Sequence, residues 1–257
     1  MYGVELDTIS GNIARQLYQK NTIAVKGYEE VELPDSFFDV ALGNVPFGDF
    51  KLTDRRYDKN NFLIHDYFFA KTLDKVRPNG VIAFITSKGT MDKQNDKIRK
   101  YICQRAELIG SIRLPNNTFK ANAGTIVTSD IIFLKKRDKI TDIEDEWVHL
   151  DKNQDGIEMN SYFVKHPEMI LGRMEMTSGR FGPESTCSPI YSETLETQLD
   201  NAIESINAEI DNIQIDEISD NEEVSIPATP DVRNFSYTEV DNKVYYREST
   251  RQTYYNT

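Results

Sequence analysis

The residues best suited to chemistry lie in one short segment, 38–48, in the first fifth of the chain. An apolar run ends there at Asn44, and Val45, Pro46 and Phe47 follow it. If the run is a strand of a parallel sheet, the segment lies at the carboxyl edge, where open α/β sheets bind ligands. Asn44 would then offer an amide oxygen as an acceptor, and Phe47 a ring for stacking. Because Asn and Pro are also ordinary turn formers, a plain strand-ending turn is the alternative.

Alternating strands and helices over the first 140 residues predict the scaffold that positions this segment. Short apolar runs predict strands at Tyr2–Leu6, Thr22–Val25, Phe37–Leu42, Gly80–Thr86, Leu108–Leu114 and Ser129–Lys135. Apolar residues at helical spacing predict helices at Thr8–Tyr18, Phe62–Val76 and Asp92–Gln104. The alternation favours an α/β domain over residues 1–140, with a mostly parallel sheet and helices on both faces.

Two of these elements carry apolar patterns that predict their packing. In the first helix, Ile9, Ile13 and Leu17 recur at every fourth residue and form one apolar stripe. The third strand, 37–42, is almost entirely apolar, which is typical of a strand covered on both faces.

The rest of the chain differs in composition. Residues 141–213 form an acidic, partly helical extension, with a helix predicted over Thr194–Ile213. Its apolar residues follow a 4-4-3-4-3 spacing and are Leu195, Leu199, Ile203, Ile206, Ile210 and Ile213. This spacing fits two arrangements: the apolar stripe packs on the helix's own domain, or it forms a coiled-coil seam with another helix or chain. Packing on its own domain is favoured, because the helix contains so few heptads. Residues 214–257 form an acidic linker or disordered segment and a Tyr-rich tail, whose strand or hairpin would pair with a partner beyond the chain end.

The charge of the chain is unevenly distributed. The net charge of −12 divides into −5 over residues 1–50, +10 over 51–140 and −17 over 141–257. A local basic block can face phosphates even on an acidic protein. Candidate phosphate contacts near the motif are Arg55, Arg56, Lys59 and Lys88, with a solvated charged surface as the alternative.

Composition also excludes several classes of protein. No apolar run is long enough to span a membrane, and residues 1–5 contain no signal-peptide features. Cys103 and Cys187 cannot form a disulfide framework, and with three scattered histidines no metal site is expected. These features predict a cytoplasmic protein without a membrane partner.

The segment Phe38-Asp39-Val40-Ala41-Leu42-Gly43-Asn44-Val45-Pro46-Phe47-Gly48 resembles the (Asn/Asp/Ser)-Pro-Pro-(Tyr/Phe/Trp) motif of S-adenosylmethionine-dependent adenine-N6 DNA methyltransferases. The resemblance covers roughly residues 2–137 and implies a class I, Rossmann-like fold. The sequence is most similar to the methylase portion of large phage- and mobile-element-type helicase–methylase proteins, and this similarity continues over Ser161–Pro183. DNA is therefore the expected substrate, and a helicase or an upstream methylase segment of the same system the expected partner.

The resemblance assigns catalytic roles to Asn44, Val45, Pro46 and Phe47. An adenine amine is a poor nucleophile because its lone pair is delocalised into the ring. The Asn44 side-chain oxygen and the Val45 carbonyl would accept its two N–H groups and stabilise the developing charge. Pro46 would hold the turn, and Phe47 would stack on the flipped base.

Cofactor-binding residues follow from the same resemblance. Glu5, with Asp7 nearby, falls where the family has an acidic residue that binds the cofactor ribose, although Glu5 could instead cap the following helix. Gly27 and Tyr28 fall where the family has an Asp-Phe pair beside the cofactor adenine.

The sequence departs from the family pattern at three points. Val45 replaces the first Pro, and Gly27 replaces the usual Asp, so that Tyr28 would contact the cofactor by packing. The family's fold begins with a strand and a Gly-rich loop that have no counterpart before Tyr2 in this sequence. This departure predicts an N-terminally truncated fragment with poor cofactor affinity. The alternatives are a methyltransferase acting on RNA or on a protein glutamine, and a catalytically silent remnant that binds DNA or a partner.

Overall fold

The computed structural model describes residues 1–179 and 182–208, together with four short strands further along the chain. The chain divides into two compact units, Met1–Glu209 and Ile210–Thr257. The first unit contains seven α-helices among the described residues. They are α1 Thr8–Leu17, α2 Ile64–Lys75, α3 Gly89–Asp92, α4 Lys97–Cys103, α5 Lys120–Ala123, α6 Ser161–Lys165 and α7 Leu195–Glu204.

The strands of the first unit follow the predicted positions closely up to residue 136. They are β1 Tyr2–Glu5, β2 Thr22–Val25, β3 Phe38–Asn44, β4 Val76–Ser87, β5 Ala106–Leu114, β6 Ser129–Lys136, β7 Leu150–Lys152, β8 Glu158–Asn160, β9 Gly172–Gly179 and β10 Gly182–Pro189. Four of them form a sheet in the order β3-β4-β6-β5, while β1 and β2 form a separate parallel pair.

The α/β class with helices packed on a central sheet is confirmed, but the strand directions are more mixed than expected. β3 and β4 run parallel, whereas β6 is antiparallel to both β4 and β5. An apolar run predicts burial of a strand and contains no information about its direction, so this feature could not be derived from periodicity.

The core of the first unit lies around β4, β6 and α2. Phe69, Leu73, Ile82 and Leu134 are fully or almost fully buried there. The same core includes Trp147, Met159, Phe163, Met174 and Cys187. Residues 141–208 therefore pack on the α/β sheet and belong to the same compact unit.

Two apolar patterns do not pack as predicted. The α1 stripe of Ile9, Ile13 and Leu17 is exposed, because the helix turns Gly11 toward the Val25 side chain instead. In β3, Val40 is exposed and Leu42 is 76% exposed, so the described part of the chain does not cover this strand on both faces. Exposed apolar surface is thus concentrated around β3 and α1.

The predicted C-terminal helix is shorter in the structure. α7 begins at Leu195 after its Thr194 cap and ends at Glu204, and Ile210 and Ile213 lie outside the described residues. Leu195, Leu199 and Ile206 pack on the core, which supports packing on the helix's own domain.

The second unit contains an antiparallel sheet. Its strands are β11 Ile226–Pro227, β12 Tyr237–Val240, β13 Lys243–Arg247 and β14 Thr253–Asn256, in the order β11-β14-β13-β12. The strands of the Tyr-rich tail therefore find their partners within the chain, contrary to the expectation that a partner lies beyond it.

In the part of the chain that the structure describes, no helix has both the length and the apolar character needed to cross a membrane.

Candidate active site

The end of β3 presents the Asn44 motif at an exposed edge. Asn44 lies opposite Ile85 of β4, and the Val45 amide donates to the Ile85 carbonyl at 3.0 Å. Val45 is buried, whereas Asn44, Pro46 and Phe47 are exposed. The Asn44 side-chain amide has no hydrogen-bond partner among the described residues, so its oxygen is free to accept from a ligand. Val45 is thus anchored and the Asn44 side-chain amide is free, and a hydrogen-bond acceptor site requires both features.

The loop that follows the motif, residues 48–62, is fastened to α2. The Ile64 amide donates to the Phe50 carbonyl at 2.9 Å. Asp54 accepts from the Tyr67 hydroxyl at 2.7 Å and from Lys71 Nζ at 3.3 Å. Burial acts to raise the pKa of Asp54, but the hydrogen bonds from Tyr67, the Arg56 amide and Lys71 outweigh it and lower the pKa. This loop therefore has a defined path beside the motif.

At the end of β1, the two acidic residues have different environments. Asp7 caps α1 by accepting from the Ser10 amide at 2.7 Å, and this bond lowers the pKa of the Asp7 carboxyl. Glu5 accepts the Asp7 amide at 2.8 Å through Oε1 alone. Its other oxygen has no partner in the described part of the chain. Glu5 therefore does not cap the helix, which was its alternative role, because Asp7 forms the cap. Glu5 keeps one carboxylate oxygen available for a ligand.

At the end of β2, Gly27 and Tyr28 begin a short 3₁₀ turn. Gly27 is buried, and a Cβ there would clash with the Glu29 carboxylate, so a larger residue would displace that side chain. The Tyr28 hydroxyl is hydrogen-bonded to Thr72 Oγ1 at 3.0 Å, and its ring lies 4.9 Å from that of Phe68. Burial raises the pKa of Tyr28 to about 12. Tyr28 is thereby a neutral, well-held aromatic surface.

The four candidate phosphate contacts fall into two groups. Arg56 forms ion pairs with Asp35 at 2.7 Å and with Asp74 of α2 at 2.8 Å, and the second pair fastens the loop to α2. Lys88 Nζ donates to the Ser185 carbonyl and hydroxyl, and burial lowers the pKa of Lys88. Arg55 and Lys59 are exposed and have no ion pair or hydrogen bond among the described side chains. Their charges are the ones available to a polyanion.

Two cavities lie near these elements. One of about 500 Å³ runs along β1 and β2 and is lined by Tyr2, Val4, Ala24 and Lys26 among others. It contains neither Glu5 nor Tyr28, so it is not the expected cofactor site. A second, of about 260 Å³, lies within the loop after the motif and is lined by Tyr57, Phe62 and Tyr67.

Several cations are buried in the structure, and no sequence pattern anticipated the two nearest to the proposed chemistry and the core, Lys71 and Arg113. Arg113 is fully buried and pairs with Asp130 at 2.8 Å and Asp92 at 2.8 Å. Burial acts to lower the pKa of Arg113, but the two carboxylates outweigh it and raise the pKa. Lys71 is buried between Tyr28 and Asp54. No periodic pattern distinguishes a buried, paired cation from an exposed one, so nothing in the sequence signalled either role.

One acidic group has the spacing of metal ligands. Asp96, Glu144 and His149 bring ligand atoms within 4.8 Å of one another. Lys100 forms ion pairs with both carboxylates, and His149 pairs with Glu144, so these contacts account for the cluster.

Comparison with known proteins identifies relatives of this chain. The model of the N-6 DNA methylase family matches residues 6–180. The protein "Defense against restriction protein B" of Escherichia phage P1 is 32% identical over 142 residues, which are 53% of this chain and 6% of the phage protein. The chain thus spans only a small part of that relative.

Two solved structures are similar at lower identity. A protein of Listeria monocytogenes described as a class I S-adenosylmethionine-dependent methyltransferase is 21% identical, with a TM-score of 0.44 over 56% of this chain and 46% of that one. A Vibrio vulnificus protein described as a modification subunit of a type I restriction enzyme is 15% identical, with a TM-score of 0.44 over 76% of this chain and 49% of that one.

Proposed function

Because the chain belongs to the N-6 DNA methylase family, we propose that it is part of an enzyme that methylates the N6 amine of adenine in DNA. The observation that carries the proposal is the free Asn44 amide beside the anchored Val45 at the end of β3. Phe47 lies exposed on the same turn, where it can stack on a base.

S-adenosylmethionine is the cofactor of this family and fold class. The residues near the ends of β1 and β2 fit its adenosine part, since the free Glu5 oxygen can accept the ribose hydroxyls. Tyr28 offers a neutral ring for packing against the adenine. When bound, the cofactor supplies an electrophilic methyl group on a sulfonium.

The chain's own groups prepare the amine for attack on that methyl group. The Asn44 oxygen and the Val45 carbonyl accept the two N–H groups of the target amine, which favours a tetrahedral nitrogen with a localised lone pair. The bond from the Val45 amide to Ile85 fixes the direction of the turn before the substrate arrives. Electrostatic preorganisation of this kind needs no covalent enzyme intermediate.

We further propose that another strand completes the sheet between β1 and β3. Among the described strands, β3 pairs only with β4 and β1 only with β2. Tyr2 and Phe38 place the beginnings of β1 and β3 together, with ring centroids 5.3 Å apart. The exposed Val40 and Leu42 flank the open edge of β3. A methylase segment or a helicase-bearing portion of the same system would supply the strand and cover this apolar surface.

Completion of the sheet is expected to produce cofactor binding. The chain joined to a first strand and Gly-rich loop from a relative, here called the completed protein, should bind S-adenosylmethionine in calorimetric titration, whereas the chain alone should bind it poorly. A Glu5→Gln variant of the completed protein tests the Glu5 contact. It should bind S-adenosylmethionine more weakly than the completed protein, because it removes the ribose-facing charge. Equal cofactor affinity of the chain and the completed protein would show that no further strand is required.

DNA binding is expected to depend on Arg55 and Lys59. Each charge reversal, Arg55→Glu or Lys59→Glu, should lower the slope of log affinity against log salt by about 0.9, the value for one phosphate contact. Lys139→Glu is the control, since Lys139 is exposed beyond the end of β6, at the opposite edge of the sheet from Asn44. Fluorescence anisotropy with a duplex at several salt concentrations measures the slope. An identical slope in all three variants would contradict the assignment.

A further inference from the structure

Lys71 lies buried between the two halves of the candidate site, and the proposed chemistry does not use it. Its side chain is on α2, and the residue is only 4% exposed. The ammonium donates to the Tyr28 carbonyl at 2.7 Å, the Glu29 carbonyl at 3.2 Å and Asp54 Oδ2 at 3.3 Å. An ammonium has three N–H groups, so all its donors are used.

The acceptors of Lys71 belong to two separate parts of the site. Tyr28 and Glu29 form the turn after β2, and the Tyr28 ring is expected to pack on the cofactor adenine. Asp54 belongs to the loop that follows the motif, and the Tyr67 hydroxyl binds the same Asp54 oxygen at 2.7 Å. One ammonium therefore fixes the distance between the cofactor side and the base side.

The aromatic rings around Lys71 strengthen this link. Its nitrogen lies 5.1 Å from the centre of the Tyr28 ring and 5.7 Å from that of Tyr67. Cations at this distance are attracted to ring faces, and the attraction grows when water is excluded. Burial lowers the pKa of Lys71, and the hydrogen bond to Asp54, which acts to raise that pKa, only partly offsets the effect.

We propose that Lys71 is a positioning residue, which holds the cofactor-side turn and the motif loop at the spacing that methyl transfer requires. The proposal rests on the proposed function, because it takes Tyr28 as the cofactor contact and Asn44 as the base contact. An error of about 1 Å in the alignment of reacting groups costs about 10² in rate, so a link of this kind affects turnover without touching the substrate.

Lys75 provides a matched control on the same helix. It is also buried, and it binds the Leu33 carbonyl at 2.7 Å and Asp35 at 2.6 Å. Neither acceptor belongs to the turn after β2 or to the loop after the motif. Lys75→Met removes a buried ammonium as Lys71→Met does, but it leaves the three hydrogen bonds of Lys71 intact, and Asp35 keeps its ion pair with Arg56.

Steady-state kinetics of the completed protein test the role in catalysis. Lys71→Met should lower kcat about 10²-fold and raise the KM for S-adenosylmethionine, since both sides of the site are released. Asp54→Asn should lower kcat and leave that KM unchanged, because Lys71 keeps its bonds to Tyr28 and Glu29. Lys75→Met should change neither parameter. The proposal is overturned if Lys71→Met and Lys75→Met have the same kcat and KM.

Hydrogen exchange of the chain itself tests the link independently of turnover. In Lys71→Met, exchange should accelerate at the Val31 amide, bonded to the Tyr28 carbonyl, and at Tyr57 and Asp58, bonded to the Asp54 carbonyl. Amides of β4 and β6 should stay protected. Acceleration at one site or at neither overturns the link. If exchange responds as expected while the completed protein and all its variants lack turnover, the proposed function fails and the link stands.

Discussion

Replacement of Asn44 by alanine is expected to lower methyl-transfer turnover in the completed protein by about 10² to 10³, or about 3–4 kcal/mol of transition-state stabilisation. The substitution removes one of two acceptors for the target amine. It leaves the Val45 amide bonded to Ile85 and leaves Phe47 exposed for stacking. The loss should therefore appear in kcat, with DNA and cofactor affinity nearly unchanged.

Phe47→Ala is the matched comparison for this prediction. It should weaken capture of the flipped base, where stacking contributes about 1–3 kcal/mol, and should affect binding more than Asn44→Ala does. Single-turnover assays on protein checked for folding by circular dichroism separate the two effects. A folded Asn44→Ala protein with near-normal turnover would mean that Asn44 only shapes a turn.

The second large effect is expected in the core. Arg113→Met should lower the free energy of unfolding by about 3–5 kcal/mol, because it leaves the buried Asp130 and the partly buried Asp92 without their counter-charge. Arg113 also lies over the Phe163 ring, with 4.2 Å between the guanidinium and the ring centre, so the substitution disturbs the packing of residues 141–208 on the sheet. Urea unfolding followed by circular dichroism measures the change.

Arg77→Met is the control for this experiment. Arg77 pairs with Asp39 at 2.6 Å, but Asp39 is exposed and Arg77 is only partly buried, so the loss should be at most about 1 kcal/mol. Burial raises the pKa of Asp130 and Arg113 lowers it, so without Arg113 the effect of burial is unopposed and a proton binds more readily to Asp130 in the folded variant. The deficit of Arg113→Met should therefore shrink as the pH falls below neutral. An unfolding midpoint equal to that of Arg77→Met would contradict the structural role of Arg113.

Much of the fold could be predicted because local patterns determine it. The strands at 80–86, 108–114 and 129–135 are found within β4, β5 and β6, since each is a short apolar run bounded by turn residues. The helix predicted over Asp92–Gln104 is shorter in the structure, where α4 begins only at Lys97, and the preceding α3 ends at Asp92. The Asn44 motif lies at the end of its strand, as its composition indicated.

The features that could not be predicted depend on contacts between distant residues. The exposed stripe of α1 has the same periodicity as a buried one, and only the absence of a covering element among the described residues distinguishes them. Arg56 and Arg55 are adjacent in the sequence, yet Arg56 forms ion pairs with Asp35 and Asp74, whereas Arg55 has no such pair in the described part of the chain. The sequence alone does not identify these partners, because they are set by the path of the loop over α2.

Identification of the methylated product tests the proposed methylation of adenine directly. The completed protein is incubated with S-adenosylmethionine labelled in the methyl group and with duplex DNA, RNA and a glutamine-containing protein as parallel substrates. The DNA and RNA are digested to nucleosides and the protein to amino acids, which are then separated by chromatography. An adenine-N6 DNA methylase should place the label in N6-methyldeoxyadenosine, at a rate reduced about 10² to 10³-fold by Asn44→Ala. Label in RNA or glutamine alone, or no transfer by a protein that binds both cofactor and DNA, would rule out the proposed function.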